Sequence, residues 1–297
     1  MKIVRTTLIV SLALLSSVNL FAKGEQYLVA GSGWDKVAII DRDTKAPVWM
    51  TVLPEGGECN SVVYSKARGT VAYSYSRGAR SVDMTNMLLW DYKVEAPREV
   101  QSIVEHKGKY VLGVCGNPAA IVVLDRFGGE KKVIEFDAGE KNPHGQFRQI
   151  RVSPEGNYLV PLLSGKVLVI NPDGEVIKTH EVGGALFSLT QLPDGNWLLP
   201  QGDAHSYVEY DPRSEQIVER VTSDDIENVK LGFVAQLIRY RDGRTLICNW
   251  LRHGGDKRQP MLMEVDADGK VLWSVGRSDK GIGDISAVVP LGGKFAQ

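Results

Sequence analysis

The chain has 297 residues, 24% of them charged, with a formal net charge of −1. That length suits one large domain or two small ones, and the near-neutral balance excludes the strongly basic face that nucleic acid requires. The three cysteines, Cys59, Cys115 and Cys248, are an odd set and do not read as a disulfide framework.

Residues 1–22 have the layout of a secretory signal peptide. Lys2 and Arg5 make a basic start, Thr6 to Val18 is apolar or small, and Ala22 offers a small residue before Lys23. The apolar run is shorter than the roughly 20 residues that span a bilayer, so it reads as a cleaved leader rather than an anchor. No Cys follows it to carry a lipid. Without Lys2 and Arg5, 33 basic residues face 36 acidic ones. The mature chain, 23–297, is expected to be soluble, periplasmic or extracellular, with no membrane insertion and no nucleic-acid partner. The sequence does not indicate an oligomeric state.

From residue 27 onward a short strand pattern recurs: Tyr27-Leu28-Val29-Ala30, Thr70-Val71-Ala72-Tyr73, Tyr110-Val111-Leu112-Gly113, Tyr158-Leu159-Val160-Pro161, Trp197-Leu198-Leu199-Pro200 and Thr245-Leu246-Ile247-Cys248. The spacing averages about 44 residues, the period of a four-stranded propeller blade. Strands and turns such as Arg151-Val152-Ser153-Pro154-Glu155-Gly156-Asn157 precede it, with Pro, Asp, Gly and Asn supplying hairpin dihedrals. A strand ending in an acid or amide follows, at Asp41, Asp125, Asn171, Asp211 and Asp266, and then a strand that often carries Trp (Trp49, Trp90, Trp273). No segment holds a long helical period. The expected fold is all-β: a single β-propeller, most simply six four-stranded blades. The chain enters at a second strand, so Ile285 to Pro290 supplies the missing first strand and closes the ring. Arg80-Ser81-Val82-Asp83 is a weak third strand, which leaves the blade count open by one.

Asp41-Arg42-Asp43-Thr44-Lys45 before Trp49, and Asp266-Ala267-Asp268-Gly269-Lys270 before Trp273, resemble the repeat of quinoprotein-like propellers. Asn142 to Gln149, Gln201 to His205 and Cys248 to Gly254 are similar to segments of secreted bacterial PQQ-like repeat proteins. The resemblance implies the fold and a packing role for the tryptophans between blades. It does not imply the quinone, because quinoprotein dehydrogenases have eight blades and a vicinal cysteine pair or equivalent cover, and this chain has neither the length nor the pair. No cofactor is expected.

In a propeller the loops sort onto two faces. His144, His205 and His253 then share one face on three consecutive blades, with Glu58, Arg77, Asn117, Gln201, Asp203, Asn249, Trp250 and Arg252. His106 falls in a turn of the opposite face and His180 in an outer strand. Gln101, Gln149, Ser188 and Gln236 occupy one register of the innermost strands, beside Arg148, and suggest a polar channel wall. Three readings stay open. Amides, Arg, His and Trp suit a carbohydrate or other small polar ligand, whose hydroxyls need paired donors and acceptors. Alternatively a histidine serves as general acid or base while Arg148 or Arg252 holds a carboxylate or oxyanion, as in a lyase or hydrolase acting on sugars. In the third, the loop polars satisfy only backbone groups, and the ring is a protein-interaction scaffold. Three imidazoles would also suit a divalent metal, but no local ligand spacing supports one.

Overall fold

Central strands such as Gln26–Ala30 and Ala119–Leu124 are buried at every position, because each blade packs against a neighbour on both faces. A computed structural model describes residues 24–54, 58–279 and 281–292. The leader assigned to residues 1–22 lies outside them. Six four-stranded antiparallel sheets form the six blades of a β-propeller, numbered 1 to 6 by their second strands Gln26–Ala30, Thr70–Tyr75, Lys109–Cys115, Tyr158–Pro161, Trp197–Pro200 and Thr245–Trp250. Their apolar side chains gather into six clusters, one per blade interface; Leu28, Ile39 and Trp49 of blade 1, for example, meet Val71 and Tyr73 of blade 2. No helix of the described residues is long and apolar enough to cross a membrane.

Blade 1 consists of Gln26–Ala30, Lys36–Asp41 and Pro47–Val52, with Ala287–Pro290 as its innermost strand. Leu28 pairs with Val289 and Val29 with Val288, so the two ends of the described chain close the ring. The weak third strand of blade 2 is a full one, Gly78–Asp83, which settles the count at six. Its sequence looks irregular because Gly78 begins it. A Cβ there would lie 2.1 Å from the Tyr92 carbonyl oxygen, so only glycine fits.

A local device repeats six times. The ladder between third and fourth strands slips once in every blade, for instance between Ile39 and Ile40 or Glu264 and Val265, and such bulges sharpen the twist. Next comes Asp41, Asp83, Asp125, Asn171, Asp211 or Asp266, whose Oδ1 accepts a backbone N–H two or three residues on. These turns receive the tryptophans of the preceding blade. Trp49 Nε1 donates to the Met84 carbonyl at 3.0 Å, and Trp273 Nε1 to that of Arg42 at 2.8 Å. The Trp90 ring lies against Gly128.

Candidate functional site

The amide register does not form an open polar wall; it spans the axis. Gln149 Nε2 of blade 4 donates to Gln236 Oε1 of blade 6 at 2.9 Å and to the Asn60 carbonyl of blade 2 at 2.8 Å. Gln236 both donates to and accepts from the Val288 backbone, while Asn60 Nδ2 donates to Gln101 Oε1. Ser188 Oγ donates to the Ala235 carbonyl. This floor satisfies buried amides that would otherwise be costly, and it separates two axial depressions.

The upper depression is a cavity of about 220 Å³. One side is charged and polar, formed by Glu58, Asn60, His144 and Arg148; the other is aromatic, formed by Phe187, Phe233, Trp250 and His253. His144 sits on a single 3-10 turn, Pro143–Gly145, capped by the Asn142 side chain. Its Nδ1 lies 3.0 Å from Glu99 Oε2, and Arg148 Nη2 lies 3.1 Å from its Nε2. Arg148 is nearly buried and also donates to the His144 and Phe147 carbonyls. Because a guanidinium only donates, it favours the neutral imidazole with the proton on Nδ1, facing Glu99. The hydrogen bond to Glu99 raises the His144 pKa above the ordinary histidine value, against burial and the Arg148 charge. Burial pushes the Glu99 carboxyl up, but hydrogen bonds from His144 and Gln101 outweigh it, and the net shift is downward.

His253 is the second carboxylate-backed imidazole. Its Nδ1 is 3.1 Å from both oxygens of Asp203, and its Nε2 has no hydrogen-bond partner among the described residues. The ring packs edge-on against Trp250 at 4.7 Å and Phe233 at 5.6 Å. Trp250 is held in turn by its Nε1 hydrogen bond to the Ser32 carbonyl.

Of the residues the sequence placed on this face, Glu58, His144, Arg148, Trp250 and His253 line this cavity, and Asp203 stands behind His253. The others are engaged elsewhere. His205 adopts a left-handed backbone with φ +53° and its Nδ1 lies 2.9 Å from the Gly232 carbonyl, outside the cavity lining. Gln201 accepts from Ser206 and Arg220. Asn249, fully buried, accepts from the Gly232 N–H and donates to the Pro260 carbonyl. Gln149 and Gln236 belong to the floor. Arg252 pairs with buried Asp284 at 2.7 Å and donates to the Gly33 carbonyl, tying blade 6 to blade 1. His106 and His180 fall where the repeat places them, the latter 3.1 Å from the Tyr210 hydroxyl in an outer strand.

Glu99, Phe187 and Phe233 were not among the candidates. Each lies one to three residues before a member of the amide register, but the offset differs from blade to blade, so the repeat alone does not single them out. The three histidines also do not gather as a metal set. His144 groups instead with Glu58 and Glu99, whose ligand atoms lie within 4.8 Å of one another. Arg148 Nε stands 3.8 Å from Glu58 and supplies the positive charge a cation would bring.

The model of the Mal s 1 allergenic protein-like family matches residues 31–270. The chain belongs to the Mal s 1-like family. The likeness to PQQ-like repeat proteins holds for the propeller fold, and the family shown is this one. A protein of unknown function from Bacteroides caccae shares 40% identity with this Mal s 1-like chain, over 90% of it and 98% of the other, with a TM-score of 0.84. Streptogramin B lyase superposes at TM-score 0.58 with 11% identity, over 84% of this chain and 82% of its own. A catalytically inactive histidine-to-alanine variant of virginiamycin B lyase from Staphylococcus aureus, solved with quinupristin, gives 0.57 and 12%, over 84% of each chain. At such identities the likeness is one of fold. Comparison with curated proteins gives no match.

Proposed function

We propose that this Mal s 1-like propeller acts outside the cytoplasm and binds a small polar organic ligand, of carbohydrate class, in its upper axial cavity. The observation that carries this reading is the two-sided lining. Trp250, Phe187 and Phe233 offer an apolar face for a ring, opposite Arg148, His144, Glu58 and Asn60, which offer donors and acceptors for hydroxyl or carboxylate groups. At about 220 Å³ the space is smaller than a drug-sized pocket and suits a single ring. Thermal-shift measurement against monosaccharides, glycosides and uronic acids tests it. Tm should rise with the matching ligand, and the rise should be lost in Trp250→Ala. No shift across the panel counts against the reading.

A second reading rests on the two imidazoles, each backed by a carboxylate. Acid–base catalysis of an elimination needs one group to take the proton α to a carboxylate. A C–O bond then breaks as the C=C bond forms, and a second group protonates the departing oxygen. His253 supplies one such group through Nε2, and His144 supplies the other once a ligand draws Arg148 off its Nε2; Arg148 then supplies a cation for the developing negative charge. The propeller lyases similar in fold lend support, since one of them is inactive without a histidine. Ultraviolet detection of an unsaturated uronate product, lost in both His144→Ala and His253→Ala with Tm preserved, is the expected result. Turnover that survives both changes excludes it.

A further inference from the structure

Below the amide floor the axis opens into a funnel of about 1200 Å³ on the opposite face. Its collar comes from one register of the innermost strands, two residues after the floor residues: Val62, Ile103, Arg151, Thr190, Ile238 and Val288. Five of the six are uncharged and buried, and Thr190 donates its hydroxyl to the Leu237 carbonyl. Arg151 is the exception. Because side chains alternate along a strand, it shares the axial side with Gln149. Its Nη2 donates to Gln149 Oε1 at 2.7 Å and its Nη1 to the Ile150 carbonyl at 2.9 Å. Among the described residues it has no ion-pair partner. Glu105 is paired with Arg68 at 2.9 Å, and Glu155 is exposed at the rim.

Arg151 is half-buried and faces the axial space without a counter-charge among the described residues, so an anion entering the funnel meets an uncompensated guanidinium. Three of its five N–H donors have no protein acceptor in the two bonds described. Leu192, Pro193, Pro290 and Trp197 continue the apolar lining outward. We propose that this lower funnel is a second binding site, for an amphipathic organic anion. Its acid group pairs with Arg151 and its apolar body lies against the part-exposed Leu192, Pro193, Val289 and Pro290. Burial lowers the Arg151 pKa to about 10, which still leaves it charged at neutral pH. The site lies on the other side of the floor from the upper cavity and does not depend on what that cavity binds.

Calorimetric titration of the full chain with octanoate, octanol and inorganic phosphate tests this. Octanoate should bind at least about tenfold more tightly than either octanol, which lacks the charge, or phosphate, which lacks the apolar body. Arg151→Met should weaken octanoate about tenfold or more and leave octanol unchanged. Arg151→Lys, which keeps the charge but not the planar fork, should fall between. Arg151→Met should melt at or above the wild-type Tm, since it removes an uncompensated charge. Failure of octanoate to bind, equal octanoate binding by the wild type and either variant, or phosphate binding as tightly as octanoate overturns the proposal. A fall in Tm for Arg151→Met would assign the guanidinium to holding Gln149 and would overturn it too.

Discussion

One buried carboxylate links blades 6 and 1, alongside their apolar contacts, and its removal has a calculable effect. Glu264 is fully buried. Arg42 of blade 1 and Arg244 of blade 6 each donate to its Oε2 at 2.8 Å, while the hydroxyls of Tyr27 and Tyr240 donate to Oε1. Glu264→Ala removes the acceptor these four groups share, although Arg42 keeps Glu25 at 3.2 Å and Arg244 keeps Asp242 at 2.9 Å. Breaking a buried pair costs about 3–5 kcal/mol. The arginine side chains retain 25% and 22% exposure, so water recovers part of this, and about 3 kcal/mol is expected. For a domain of this size that lowers Tm by about 6–12 °C. The pH dependence follows from the same contacts. Burial raises the Glu264 pKa, but the hydrogen bonds from Arg42 and Tyr27 outweigh it and the net shift is downward. A depressed carboxylate stabilises the fold above its unfolded value of about 4.3 and loses that contribution as pH falls through the folded value. The Tm advantage of the wild type over Glu264→Gln should therefore shrink below about pH 4. Scanning calorimetry across pH reads both quantities. A Glu264→Ala Tm within about 2 °C of wild type, or a gap to Glu264→Gln that does not change in acid, would refute the closure argument.

Two further outcomes are expected. The thiols of Cys59, Cys115 and Cys248 are all buried, and burial raises their pKa values, that of Cys115 to about 12. A thiol-specific reagent should label none of them in the native protein and all three in denaturant; rapid native labelling contradicts the packing. Arg252→Ala should lower Tm by about 2–4 °C, the effect of losing about 1 kcal/mol at a half-exposed contact, without altering any ligand affinity of the upper cavity. A changed affinity with unchanged Tm would return Arg252 to the binding residues.

The six-bladed ring was legible in the sequence because its determinants are local. A strand buried on both faces needs a continuous apolar run. A bulged hairpin needs an Asp or Asn to accept backbone N–H groups, and an outer Trp needs a turn of the next blade to lie on. The first two recur every blade length and the Trp in three blades of six, so Tyr27-Leu28-Val29, Asp41 and Trp49 announce the fold without reference to any partner. The face on which His144 and His253 lie followed from the same periodicity. Which polar side chains turn toward the axis did not. Asn249 and Gln201 look like ligand-binding amides, yet each sits where a buried backbone group or arginine must be satisfied. Arg252 is taken by Asp284, thirty-two residues away. Glu99 and Arg148 gain their chemistry only from meeting at His144, and Arg151 is notable only because five neighbouring strands bring uncharged side chains to its level. These pairings depend on distances across a closed ring. Periodicity sets the height of a residue along the axis, and packing alone decides what it touches there.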